Sequence, residues 1–247
     1  MIFILRHGER ADDSGYNKEI ELEHDPHLTK YGKEQSIAAG RAVRKYIQES
    51  YDQGLLKIKN PKIILVSSPY LRCIETACGL KSAFEDDQIY NKTIYLDDGI
   101  SEFLGEVFFD FDALKKLHVR TKTPLQFEKY INYKVQEGFI GHQIHSRVPV
   151  FPEIHKDFFA RAASAYKTLV DHFLNVVNKD RDKVLILITH GFVMKVVLGV
   201  NGILESKGSD YTSITQVYYE NGTDIKGKVI RSLDIQHLHE LNMKPKL

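Results

Sequence analysis

Tryptophan is missing from the 247 residues, and cysteine occurs only at Cys73 and Cys78. Two cysteines five apart on an expected helix supply neither a disulfide framework, nor a CxxC redox pair, nor a metal quartet; they fit a reducing compartment, so a cytoplasmic location is expected. No stretch approaches the run of roughly 18 apolar residues that a membrane helix needs. The apolar run at residues 1–5 is too short for the apolar part of a signal peptide, so a soluble chain with no membrane partner is expected. Neither sign of charge dominates, with 34 Lys and Arg against 33 Asp and Glu. That balance leaves no footprint for nucleic acid, and the one basic cluster, Met243-Lys244-Pro245-Lys246-Leu247, reads as a frayed end. Any anionic ligand must therefore be met by a local group of cations.

What is present suffices for one full core, since 43% of the residues are hydrophobic. A single domain over residues 1–247 is expected, with an insertion at about 104–152. Residues 1–5 end abruptly at Arg6-His7-Gly8, as a strand feeding a loop does. A polar excursion over 9–28 leads to Thr29, placed to cap a helix that uses Ile37, Ala38, Ala42, Val43, Tyr46 and Ile47. Ile63-Ile64-Leu65-Val66 reads as a second strand, and Pro69 suits the first position of the helix after it. Thr93-Ile94-Tyr95-Leu96 reads as a third strand. Within the insertion, one helical stretch is expected around Pro124 to Gln136. The apolar spacing from Ile154 to Val177 predicts a helix over 153–178, and Val184-Leu185-Ile186-Leu187-Ile188 predicts a parallel strand covered on both faces. Residues 213–235 read as two strands joined around Asn221-Gly222, and an exposed edge there would suit a homodimer. The alternation predicts an α/β fold of three layers, α/β/α, with a mostly parallel central sheet and a helical insertion over the active site.

Chemistry-bearing residues gather at the predicted strand ends. These are Arg6, His7 and Arg10 after the first strand, Arg72 after the second, and His190 after the late one. Ligands of open α/β sheets bind outside the carboxyl ends of the strands, so these residues can converge on one pocket. Arg6, Arg10 and Arg72 make a planar-fork clamp for a phosphate dianion, and a protonated His190 would add a fourth cation. An imidazole can attack phosphorus and carry the phosphoryl group as phosphohistidine, with the surrounding charge doing what a metal does elsewhere. Neither a cofactor nor a metal is expected. Gly8 and Gly191, each following a histidine, are expected to let the backbone approach the ligand. Glu102 follows the third strand, and a carboxyl beside aromatic residues can hold its proton as a general acid must; Glu106 and Glu9 compete for that role.

Arg6-His7-Gly8-Glu9-Arg10 resembles the RHG signature of the histidine phosphatase (phosphoglycerate mutase-like) superfamily. Leu28-Thr29 with Gly32 and Gln35, Ser68-Pro69 with Arg72 and Thr76-Ala77, and Thr189-His190-Gly191 are similar to three further segments of that family, in the same order. The resemblance spans residues 1 to about 200. It implies His7 as nucleophile, Arg6, Arg72 and His190 as phosphate ligands, and Glu102 as acid/base. Arg10, Arg72-Cys73 and Ser101-Glu102-Phe103 look most similar to the branch that holds the Sts protein tyrosine phosphatases and the insect ecdysteroid-phosphate phosphatase. The Leu-Asn-Glu-Arg stretch usual in the family's mutases is not found. The expected activity is a metal-independent phosphomonoesterase acting on a phosphorylated small molecule or phosphoprotein. The alternatives are a mutase-type phosphotransferase and a non-catalytic phosphate-binding module.

Other residues invite plainer readings. His142-x-x-His145 and His237-x-His239 lack a clear third ligand and read as surface or loop histidines. His24 and His27, in the polar excursion, read as surface residues, with an approach to substrate as the alternative. Phe103, Phe108, Phe109 and Phe111 are divided between pocket wall and core, and Tyr70 between pocket wall and helix packing.

Overall fold

The computed structural model describes residues 1–15, 20–132, 135–136, 149–176, 183–204, 208–220 and 226–240. The expected Asn221-Gly222 turn, the pair His142 and His145, and the basic tail lie outside them. Seven strands form one sheet: β1 (Ile2–Arg6), β2 (Lys62–Ser67), β3 (Ile89–Leu96), β4 (Val135–Gln136), β5 (Lys183–Thr189), β6 (Ile214–Tyr218) and β7 (Lys228–Asp234). Their order is β4-β3-β2-β5-β1-β6-β7. The five strands from β4 to β1 run parallel, and β6 and β7 add antiparallel pairings at the far side.

The strand residues alternate between two cores, which is why the central strands are apolar on both faces. Phe3, Leu5, Ile63, Leu65, Ile186 and Ile188 pack on one face with α1 (Lys30–Asp52) and α2 (Leu71–Lys81). Ile2, Ile4, Ile64, Val66, Leu185 and Leu187 pack on the other, against α5 (His155–Val170) and α6 (Gly191–Val200). Three layers result. Each fully buried side chain of this size stabilises the fold by roughly 1.5–3 kcal/mol before the entropy of ordering it. Among the described residues, no helix is long and apolar enough to cross a membrane.

Local chemistry explains where the elements begin and end. Thr29 caps α1, its hydroxyl oxygen accepting from the Gly32 N–H at 2.8 Å. Pro69 does not open α2: it lies in the bend before Tyr70, which is the N-cap. The first amide of that helix is instead held by buried Asp25, whose Oδ1 accepts from Leu71 N at 2.8 Å. Oδ2 of Asp25 accepts from the backbone N–H of His118 at 3.0 Å and pairs with its Nδ1 at 2.8 Å, so the polar excursion is tied to the insertion.

The insertion contains α3 (His118–Thr121) and α4 (Pro124–Ile131). The expected helix to Gln136 stops sooner, because Asn132 turns left-handed and Val135–Gln136 pairs with β3 as an edge strand. The predicted helix from 153 likewise starts later. Ile154 is its extended N-cap, Glu153 before it donates its N–H to Leu104 O at 2.9 Å, and the regular helix gives way to a wider turn over Asp171–Val176. A short α7 (Gln236–Glu240) ends the described chain. His237, expected at the surface, is buried under it, its Nε2 3.1 Å from the Thr212 hydroxyl.

Gly8 serves packing rather than ligand approach. A Cβ there would stand 2.5 Å from the backbone oxygen of Gly32, where the start of α1 presses on the loop after β1. Gly8→Ala is therefore expected to cost about 1–3 kcal/mol by overpacking against backbone that cannot swing aside. A lowered midpoint in urea unfolding checks this; an unchanged midpoint contradicts the contact.

Candidate active site

The carboxyl ends of β1, β2, β3 and β5 lead into one cavity of about 840 Å³. His7 follows β1, and its backbone N–H donates to Thr189 O at 3.0 Å, which ties it to the end of β5. The ring is buried, with Nδ1 2.8 Å from the carbonyl oxygen of Gly8. A carbonyl can only accept, so Nδ1 carries the hydrogen and Nε2 keeps its lone pair. Burial first, then the charges of Arg72 and Arg6 and the neighbouring His190, hold the pKa of His7 well below the ordinary histidine value.

His190, the N-cap of α6, packs edge-on to His7 with ring centroids 5.4 Å apart. Its Nδ1 accepts from Arg72 Nη2 at 3.2 Å, so Nε2 donates to the Ser68 hydroxyl at 2.8 Å. Burial, followed by Arg72, Arg10 and Arg6, depresses its pKa well below the usual value. In place of the fourth cation expected here stands a donor-acceptor ring, because Nδ1 can accept from Arg72 only while it carries no proton.

Arg6, Arg10 and Arg72 all line the cavity. Arg72 lies 4.4 Å from the centre of the Tyr70 ring, and Arg6 4.3 Å from that of Tyr211. Each cation therefore rests on an aromatic face. Tyr70 is wholly buried, which settles it as packing beneath Arg72. Arg6 donates to the Ser209 carbonyl through Nη1, and Arg10 is held bidentately by Asp12. The buried Nε–H groups of Arg6 and Arg72 and the Ser209 hydroxyl have no hydrogen-bond partner among the described residues. Buried donors left unpaired cost about 1–3 kcal/mol each, a cost that an oxyanion accepting from them removes. Gly191 borders both groups: a Cβ there would stand 3.0 Å from Ser209 Oγ and 3.7 Å from Arg6 Nε.

Glu102 also reaches the cavity, with Oε2 3.4 Å from His190 Nδ1 and 3.9 Å from Arg72 Nη2. Its Oε1 accepts from Phe103 N at 3.1 Å. The aromatic setting expected for it is not what it meets. Phe103 turns into the second core, at 3% exposure, and the carboxyl faces a guanidinium and an imidazole instead. Neither rival carboxyl lines the cavity. Glu9 is buried and accepts from the Thr29 hydroxyl at 2.8 Å, while Glu106 is exposed.

Phe108, Phe109 and Phe111 of the insertion and Phe192 of α6 form an aromatic part of the wall, and Asp12, Glu23, Asp110 and Lys195 add charged groups to it. His24 lines it too, rather than standing apart on the surface: its ring packs edge-on to Phe111 and its Nε2 donates to Lys116 O at 2.9 Å. Sequence reasoning missed Tyr211, Asp13 and Ser209. Tyr211 packs 5.6 Å from His7 and donates its hydroxyl to Asp13. Nothing in the chain around Gly208 marks these residues, because they matter only through a contact with the other end of the sequence. Among the described residues no group of three or more His, Cys, Asp or Glu could hold a metal ion.

A family model described as histidine phosphatase superfamily (branch 1) matches residues 2–226. A sequence search of curated proteins finds no significant match. Among solved structures, the chain is similar to the ecdysone phosphate phosphatase of Bombix mori in complex with tungstate, with a TM-score of 0.61 and 18% identity over 94% of this chain and 92% of that one. It is also similar to a phosphoglycerate mutase of Bacillus anthracis, with a TM-score of 0.58 and 18% identity over 97% and 95% of the two chains. A phosphoserine phosphatase of Entamoeba histolytica, in complex with phosphoserine, gives 0.52 and 17% over 96% and 98%. At such identities the likeness speaks for the fold.

The buried histidines make stability depend on pH. His7 and His190 are depressed, and burial lowers His237 to about 4, so the unfolded chain takes up protons that the folded one refuses. The stability they give is complete above the ordinary value of 6.5 and is lost as pH falls below it. Urea unfolding should therefore weaken between pH 6.5 and 5, by up to about 1.4 kcal/mol per pH unit for each histidine. A flat stability across that window contradicts the burial of neutral imidazoles.

Proposed function

The chain belongs to the histidine phosphatase superfamily, branch 1, and from that premise we propose that it is a metal-independent phosphomonoesterase using His7 as the phosphoryl acceptor. The observation that carries this reading is the tautomer of His7. Nδ1 donates to Gly8 O, and Nε2 is left as a lone pair on a buried ring that feels the charges of Arg72 and Arg6. In the first step Nε2 attacks phosphorus, the bond from phosphorus to the ester oxygen breaks, and Glu102 gives its proton to the departing alcohol. In the second, Glu102 takes a proton from water, the water oxygen bonds to phosphorus, and the P–N bond breaks to restore His7. Arg6, Arg10 and Arg72 stabilise the charge on the equatorial oxygens, and His190 helps to fix the group between the two histidines.

The aromatic wall supports an apolar alcohol over a short charged one. Phe108 and Phe192, at 54% and 38% exposure, present rings that an apolar leaving group would bury. The cavity is near the top of the roughly 300–1,000 Å³ range of small-molecule sites. An arylphosphate body, free or on a tyrosine side chain, suits that wall.

Hydrolysis of 4-nitrophenyl phosphate in the presence of EDTA tests the core of this. Wild-type turnover is expected to persist, and His7→Ala to abolish it. Retained activity in His7→Ala overturns the reading. A wild type that binds phosphate without turnover favours a binding module, and one that returns the phosphoryl group to a second substrate without releasing phosphate favours a mutase. For specificity, kcat/KM on naphthyl phosphate should exceed that on 3-phosphoglycerate by about tenfold or more, and Phe108→Ala should narrow the gap. Equal values for the two esters contradict an apolar leaving-group site.

A further inference from the structure

We propose that Arg161 and Glu153 are positioning residues that aim the carboxyl of Glu102, an inference that rests on the acid/base role proposed above. Arg161 is a charged residue on the buried stripe of α5, between Phe158 and Ala165, at 2% exposure. It meets Glu153 as a bidentate pair, Nε to Oε1 at 2.6 Å and Nη2 to Oε2 at 2.8 Å. The rest of the guanidinium is spent on one loop. Nη1 donates to the carbonyl oxygens of Gly99 at 2.9 Å and Ser101 at 3.3 Å, and Nη2 to that of Glu102 at 3.2 Å. Glu153 takes the other side of the same loop. Its Oε2 accepts from Leu104 N at 3.1 Å, and its own N–H donates to Leu104 O at 2.9 Å. The chain on both sides of Glu102 thus hangs on one buried ion pair.

Backbone direction then becomes carboxylate direction. Glu102 Oε1 is held by the N–H of Phe103, which leaves Oε2 turned to His190 and Arg72. Thr189 supplies a further reference point, its hydroxyl donating to Ile100 O at 2.6 Å from the residue before His190. A buried ion pair is weak evidence for stability, since apolar replacements of similar volume often do as well. This pair has something else to do, because its spare hydrogen bonds all go to the loop that carries the proton donor.

The test uses leaving groups. Nitrophenolate departs without a proton, whereas phenolate needs one, so loss of a correctly aimed acid is felt on phenyl phosphate far more than on 4-nitrophenyl phosphate. Arg161→Lys, which keeps the charge but loses the fork, is measured first. The Arg161→Met, Glu153→Met double variant follows, as a replacement that leaves no unpaired charge in the core. Both should lose about ten- to a hundredfold in kcat/KM, which reads only the step that expels the alcohol, on phenyl phosphate and no more than about threefold on 4-nitrophenyl phosphate, with inhibition by inorganic phosphate unchanged. Equal losses on both esters, or a matching loss of phosphate inhibition, would mean that the pair is merely structural and would overturn the proposal. Glu102→Gln is run in parallel. If it too lacks the steeper loss on phenyl phosphate, the role given to Glu102 is wrong and the proposal falls with it. If it shows that loss and the Arg161 variants do not, the positioning proposal alone fails.

Discussion

An imidazole attacks phosphorus only while one ring nitrogen keeps its lone pair, and in this protein that condition is met by burial. His7 is enclosed at the carboxyl end of β1, near Arg6 and Arg72, with its one hydrogen committed to the carbonyl of Gly8. The same cations that would bind a phosphate dianion also discourage protonation of His7. His190 is buried edge-on beside it with the opposite tautomer, its Nδ1 accepting from Arg72 and its Nε2 donating to Ser68. Arranging this requires that four strand ends meet, and the three-layer fold is the device that brings them together.

Much of this was legible in the sequence because it is local. The uninterrupted apolar runs of β1, β2 and β5 are short and end at turn residues, which favours strands covered on both faces over buried helices, and the helices between them follow from spacing and from the cap at Thr29. The residues proposed to hold the phosphoryl group were legible for a related reason. Arg6, His7, Arg72 and His190 each lie within a few residues of a strand end, so finding the strands locates the residues.

What was missed depends on contacts between distant stretches. Gly8 looked like a ligand-facing glycine, but its neighbour is Gly32, across the first crossover. Pro69 looked like a helix start, but the amide that needed a partner at Leu71 is held by Asp25 from the polar excursion. Tyr211 and Asp13 join the ends of the chain beneath Arg6 and carry no motif. Arg161 did leave a trace, as a cation on an otherwise apolar helix face, yet its partners at 99–104 and 153 could be known only from the folded chain. The setting of Glu102, the proposed proton donor, is in this sense a tertiary construction, whereas the proposed phosphate ligands sit at the strand ends.

The central claim is that a phosphoryl group resides on His7, and rapid quenching tests it most directly. Wild type mixed with radiolabelled aryl phosphate and stopped within one turnover should retain label on the peptide that contains His7, stable in alkali and released in acid as a phosphoramidate is. Label that is missing from that peptide while hydrolysis proceeds, or label that survives acid as an ordinary phosphoester does, would contradict the account.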